Sequence, residues 1–276
     1  MTLGTCLWGW NKTRNSLVRS NGVKPMQVFG SACGVLVDAG SDTTAAYLLS
    51  LVLTLASHPQ YQQRAWQELD AVVDSDRLPE LNDITRVPFV RALIDEVLRL
   101  HPPFSMALPH ATRDDIQIAH LTSYSSDAIT NDPNNFEDSG LFKPERFLDS
   151  KFGTFPGMDT DFRDNYAFGG GRRICPGQYS VRRLINLVTM RLIWAFEFGE
   201  ARNAQTNQVI PPNSGMEAFD NELICFPLPF TCNIKPRHPE IIREKFAGAL
   251  SELEKYEVNL WKGDADKMEE LRKRLL

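Results

Sequence analysis

The stretch Phe168-Gly-Gly-Gly-Arg-Arg-Ile-Cys-Pro-Gly177 decides the reading of this chain. It sets one cysteine, Cys175, at the end of a glycine-rich loop and just ahead of a long apolar segment that begins near Gln178. A helix N-terminus presents unpaired N–H groups and the positive end of the helix dipole, and cations nearby add to that field. Arg172 and Arg173 supply the cations. Such surroundings favour the ionised thiol, so this is a place to make and hold a thiolate. Pro176 has no N–H to contribute, and Gly177 accepts backbone angles closed to other residues. Gly169, Gly170 and Gly171 leave room for something flat and large against the backbone.

A lone thiolate with an arginine beside it and a cleared face suits a haem iron with two negative propionates. Phe168, Gly171, Arg173, Cys175 and Gly177 match F-x-x-G-x-R-x-C-x-G, and on those residues the chain resembles the cytochrome P-450 superfamily. The resemblance implies haem b (iron protoporphyrin IX), with Cys175 as its axial iron ligand and Arg173 at a propionate. It also implies that Phe168, Gly171 and Gly177 shape the cofactor loop. The competing readings are weaker. A phosphate loop needs G-x-x-x-x-G-K-[ST], which is absent. A buried structural cysteine is the usual fate of a single thiol.

Composition sets the frame around this loop. The chain has 276 residues, 42% hydrophobic and 24% charged, as ordinary globular proteins do. A net charge of −5 gives no nucleic-acid footprint. Cys6, Cys33, Cys175, Cys225 and Cys232 form no C-x-x-C pair, which argues against a zinc site and a disulfide framework. The run from Thr43 to Ser57 holds 15 uncharged residues, short of the roughly 20 that a membrane span needs. No membrane span is expected, and the first residues lack the basic start of a signal peptide.

Helical signals dominate the first hundred residues. One helix is expected from Pro25 to His58-Pro59, apolar on more than one side, as helices in the middle of a protein are. A second runs from Pro59 to about Val73 with Ala65, Trp66 and Leu69 inward. A third opens near Pro88 and stops at His101-Pro102-Pro103, because two prolines cannot continue it. Short strands are expected between Phe104 and Pro133, and coil from Asn131 to Thr160. Gln178 to Phe198 reads as a helix with Val181, Leu184, Ile185, Val188, Leu192 and Phe196 on one face and Gly199 as its stop. Leu223 to Ile234 reads as an extended hairpin, and Ile242, Phe246, Leu250, Leu253 and Leu260 recur at helical spacing in the tail.

Four further groups carry chemistry. Ala39-Gly-Ser-Asp-Thr-Thr44 is a polar patch inside an apolar helix, where Gly40 alone costs about 1 kcal/mol against alanine. It is explained either by hydroxyls bonded back to the helix or by an oxygen pocket. It resembles the family's A-G-x-D-T-T motif, which implies that Thr43 delivers protons to dioxygen with Asp42 behind it. Glu96 and Arg99 share a helix face, and apolar neighbours favour their burial, which calls for a further partner. By resemblance that partner is Arg146 of Pro144-Glu-Arg-Phe147, in a structural triad that touches no substrate. His110 is a candidate propionate partner by the same resemblance. Arg163, Arg172, Arg182 and Arg183 form either a solvated basic face or a docking patch for an acidic electron donor.

The expected fold is mainly α with minor β, a cytochrome P-450-like haem-binding half truncated at the N-terminus and closest to fungal microsomal members. Residues 1–24 stand as a non-family segment, 25–237 as the family region and 238–276 as a helical tail. The resemblance implies a monooxygenase acting on a lipophilic substrate, with electrons from an NADPH-dependent flavoprotein reductase, at the cytosolic face of the endoplasmic reticulum. Val35, Ser105, Met106, Leu108 and Leu223 are expected to line the pocket. The rival reading is a truncated, inactive fragment that acts at most as a haem-binding or interaction protein. The motifs span only the C-terminal half of a typical member, so the central helix is expected to expose apolar surface.

Overall fold

The computed structural model describes residues 25–74, 77–105, 126–156, 166–170, 174–203 and 205–244. Helix dominates. α1 (Pro25–Ser57), α2 (Pro59–Val72) and α3 (Pro88–Leu100) fall where the proline punctuation puts them. Pro59 and Pro88 each sit in the first turn, where a missing N–H costs nothing. A 3₁₀ turn (Leu81–Arg86) joins α2 to α3, and its reciprocal cap pairs Glu80 with Asp83. The Arg77 guanidinium beside Asp83 holds that carboxyl below its usual range.

A short helix, α4 (Ser126–Thr130), stands within the span where short strands were expected, and α5 (Arg146–Asp149) interrupts the coil expected from Asn131 onward. α6 (Gln178–Ala195) leads directly into β1 (Phe196–Arg202), which pairs antiparallel with β2 (Val209–Ile210) and β3 (Cys232–Pro236). In the β1–β3 register Phe198 faces Ile234 and Glu200 faces Cys232. Residues 106–125, where short strands were expected, lie outside the described residues, as do 1–24 and the tail beyond 244.

The expected end of α6 is corrected. α6 ends at Ala195, and Gly199 lies inside β1 rather than stopping the helix. Phe196-Glu-Phe198 alternates apolar and polar side chains, a strand period, and Phe198 turns into the core. The inward face of α6 is borne out in part: Val181, Ile185 and Leu192 pack with the core as expected, and the buried surface extends beyond them. Ile185, Thr189, Met190, Ile193 and Trp194 are buried, whereas Leu184 is 45% exposed.

The core forms where α1, α2, α3, α6 and β1 converge. Tyr47, Leu51 and Leu55 of α1 meet Ala65 and Leu69 of α2, Leu93 and Val97 of α3, and Ile193 and Trp194 of α6. Polar contacts stitch the same elements. Tyr47 and Thr189 share a buried hydroxyl–hydroxyl bond of 3.1 Å. Gln62 donates to the carbonyl of Phe198 at 2.7 Å and accepts its N–H at 2.8 Å, which locks α2 to β1. Glu68 accepts the N–H groups of Phe89 and Val90 and so caps α3. Among the described residues the first half of α1 has no such cover. Phe29, Val35, Leu36 and Val37 are exposed, Val37 by 68%.

Candidate functional site

The glycine loop closes on the cysteine. The N–H of Cys175 donates to the carbonyl of Phe168 at 2.9 Å, and its own carbonyl accepts from Gln178 N–H at the start of α6. Gly169 takes φ +73°, a conformation that a side chain would strain. A Cβ added at Gly170 would meet nothing within 4 Å, so there is open space beside that residue. Cys175 is a free, half-buried thiol, and the Cα of Gly177 is turned so that an added Cβ would lie 3.8 Å from its sulfur. Phe168 packs against the core and carries the Arg182 guanidinium over its ring at 5.1 Å. Arg182 also reaches Asp95 at 3.3 Å, and Arg183 lies over Tyr179. Of the expected basic patch, Arg182 is therefore engaged with the protein's own carboxylate, whereas Arg183 stays at the surface. Gly171, Arg172, Arg173, Arg163 and His110 lie outside the described residues.

Behind this loop sits a buried ion cluster. Glu96 is 0% exposed and accepts from Arg99 twice, Nε at 2.8 Å and Nη2 at 2.9 Å. Arg146 Nε donates to the same carboxylate at 3.1 Å, and the N–H of Lys143 at 2.8 Å. The remaining guanidinium protons go to carbonyls. Arg99 reaches Thr130 (2.7 Å) and Ser139 (2.9 Å), and Arg146 reaches Glu137 (2.7 Å). Removing these charges from water is costly unless geometry is good and every donor is placed. Here one carboxylate gathers two arginines from α3 and α5, and the arginines gather the coil of residues 130–141. The cluster fastens that coil to α3.

The polar patch of α1 lies in its uncovered half. Thr43 Oγ1 donates to the carbonyl of Ala39 at 2.6 Å, Thr44 to Gly40 at 2.8 Å and Ser41 to Val37 at 3.0 Å. Each hydroxyl bonds one turn back, and the helix continues through the patch. Asp42 is exposed and accepts from Ser41 at 3.3 Å.

Of the expected pocket residues, Val35 is exposed on α1, Leu223 is exposed at a turn and Ser105 is half-buried; Met106 and Leu108 lie outside the described residues. Sequence reasoning missed the side chains that join two of these regions. His101 is buried and stacks on Phe219 with ring centroids 4.2 Å apart. Ser105 Oγ lies 2.9 Å from Cys225 Sγ. Burial holds His101 neutral by lowering its pKa to about 3, with Arg99 adding to the effect. No periodicity marks these contacts, because they join positions more than a hundred residues apart. Among the described residues no cluster of His, Cys, Asp and Glu has metal-site geometry, and no helix is long and apolar enough to cross a membrane.

Among the described residues the chain is mainly helical, with a small antiparallel sheet, a buried Glu–Arg–Arg cluster and a free cysteine ahead of α6, an arrangement that fits the family the sequence resembles. The comparisons agree. The family described as cytochrome P450 matches residues 30–218. A cytochrome P450 monooxygenase of Armillaria gallica is 38% identical over 228 residues, 79% of this chain and 44% of that protein. One from Rhodocybe pseudopiperita is also 38% identical, over 78% of this chain and 43% of its own length. A zebra fish cytochrome P450 solved with progesterone superposes with a TM-score of 0.56 at 28% identity, over 72% of this chain and 43% of that one. The chain belongs to the cytochrome P450 family, and it spans less than half the length of these relatives. The family is one of haem-iron oxidoreductases, and the two fungal relatives are named monooxygenases.

Proposed function

We propose that this chain is the haem-binding part of a monooxygenase that inserts one oxygen atom of dioxygen into a lipophilic substrate. The overall balance is substrate C–H, dioxygen, two electrons and two protons to the alcohol and water. The observation that carries the reading is the bond from Cys175 N–H to the Phe168 carbonyl, which draws the two ends of the glycine-rich segment together and sets a free thiol ahead of α6, with open space at Gly170. A large flat group with an iron centre fits that donor and that clearing.

Cys175 would hold the iron as thiolate, with Phe168 and Gly177 forming the loop around it, together with Gly171. Arg173 and His110 would pair with the propionates, which orients the group and offsets its charge. The haem supplies dioxygen activation, favoured by electron donation from the thiolate. Thr43 would pass a proton from its hydroxyl, and Asp42, exposed one residue earlier, would connect it to solvent. Glu96, Arg99 and Arg146 keep the coil in place without contacting substrate. Electrons would come from an NADPH-dependent flavoprotein reductase, in keeping with membership of this family. The family's microsomal members suggest the endoplasmic reticulum as the site of action.

The test is the spectrum of the purified chain supplied with haem, reduced and exposed to carbon monoxide, beside Cys175→Ser. A strongly red-shifted Soret band in the parent and not in the variant supports the reading. No haem uptake, or a band unchanged by the substitution, overturns it in favour of an inert fragment.

A further inference from the structure

One stripe of α1 runs through two settings. At about 100° per residue, Cys33 and Val37 stand about five turns ahead of Leu51 and Leu55 and on the same side of the helix. Leu51 and Leu55 are buried in the core with side chains of α2, α3 and α6. Cys33 and Val37 are exposed, as is Leu36 between them. The two carboxylates of this half, Asp38 and Asp42, lie on the opposite side together with Val35. Water suits that charged side, and the uncharged stripe is the side whose cover lowers the free energy.

Two-fold symmetry supplies a cover of the right shape. An antiparallel copy of α1 centred on Cys33 brings Leu36 opposite Gly30, and Cys33 opposite itself. A Cβ added at Gly30 would meet nothing within 4 Å, so that position has room for a large side chain from a second helix. Large meets small twice, because such a pairing is isologous. The core rules out the parallel alternative: from Tyr47 onward, side chains of α2, α3 and α6 already cover the stripe along which a parallel helix would continue. An antiparallel helix runs out past Pro25 instead, away from that core.

We propose that the first half of α1 is a dimerisation surface whose partner is the same stripe on a second copy of this chain. The inference does not rest on haem binding. The partner helix covers Leu36 and Val37, and leaves Val35, Asp38 and Asp42 in water. Its overlap runs from about residue 25 to residue 41 and stops short of Thr43. So small a contact makes a weak dimer that depends on concentration.

The experiment compares the full chain with Leu36→Asp, Val35→Asp, Gly30→Leu and Cys33→Ser. In sedimentation equilibrium the parent should dimerise with a Kd of about 10–100 μM. Val35 and Leu36 are exposed alike, 65% and 63%, so the monomer meets the same demand from either aspartate. Leu36→Asp should weaken the dimer at least about tenfold, and Val35→Asp less than about twofold. Gly30→Leu favours helix in the monomer and should still weaken the dimer about tenfold, by filling the space opposite Leu36. Diamide, which takes the two thiol hydrogens, should link the parent through Cys33 into a dimer on a non-reducing gel, and this band should be lost in Cys33→Ser. Melts at about 1 μM, below the Kd, should coincide for the parent, Val35→Asp and Leu36→Asp, which separates lost pairing from lost folding. A parent still monomeric at about 500 μM overturns the proposal, and a monomer whose Cys33 resists maleimide assigns the stripe to another segment of this chain. Equal weakening by Leu36→Asp and Val35→Asp, an unchanged dimer in Gly30→Leu, or a diamide band as strong in Cys33→Ser overturns it too.

Discussion

The two halves of α1 share one helix and one apolar character, and their surroundings differ. From Ala46 onward the helix is locked in. Tyr47, Leu51 and Leu55 are nearly fully buried against α2, α3 and α6, and the Tyr47–Thr189 bond crosses the interface. From Phe29 to Asp42 the same helix meets none of the elements described here, and four large apolar side chains face solvent. Helical backbone thus persists with and without tertiary cover, whereas the stability that comes from packing belongs to one half only. The polar patch Asp42-Thr43 sits at the boundary. The hydroxyls around it donate their protons to the helix's own carbonyls, which leaves their oxygens as acceptors for whatever approaches that face.

The contrast can be broken hardest from outside α1. Glu96→Ala leaves two buried guanidinium groups without their carboxylate, and should cost about 3–5 kcal/mol, enough to lose cooperative unfolding in a denaturant titration. A retained sigmoidal melt near the parent midpoint would mean that the cluster holds nothing together. Within α1 the comparison is direct. Leu51→Ala should cost about 2–5 kcal/mol by opening the core, and Leu36→Ala about 0.5 kcal/mol or less. Equal losses in the two would show that the first half is covered in solution.

Acid gives the smallest and most graded effect. His101 has its pKa lowered to about 3, and burial also lowers that of His58. Above the ordinary imidazole range both states are neutral. As pH falls from about 6.5 toward 3, the unfolded chain binds protons that the folded chain refuses, so stability drops through that window. His101→Phe keeps a ring against Phe219 and removes one titrating group, so its melting temperature should fall less steeply on acidification. Parallel slopes in the two proteins would rule out His101 as the source.

Much of the fold was legible in the residues. Pro59, Pro88 and Pro102-Pro103 bound three helices because proline tolerates the first turn and ends the last. The Glu96–Arg99–Arg146 cluster was legible through spacing on α3, its apolar neighbours and a resemblance that supplied the distant arginine. The end of α6 was misplaced. Glycine was weighed as a helix stop, and the two-residue period of Phe196-Glu-Phe198 is too short to outvote a helical run before it. The inward face of α6 is legible only in part, because Thr189, Met190, Ile193 and Trp194 extend the buried surface past the side that periodicity picks out. Nothing local announced Gln62 on the backbone of Phe198, or Glu68 on α3, because those partners exist only once the elements pack.

Sequence alone determined the family of this chain, the order of its helices and the cysteine that its loop presents, because each depends on residues close together along the backbone. Tertiary structure decided the rest. It chose which half of α1 is buried, brought Glu96 to Arg146 and set Cys225 against Ser105. Those outcomes depend on distances between segments far apart in sequence, and burial that turns a mobile surface pair into a fixed contact is a property of the packed molecule.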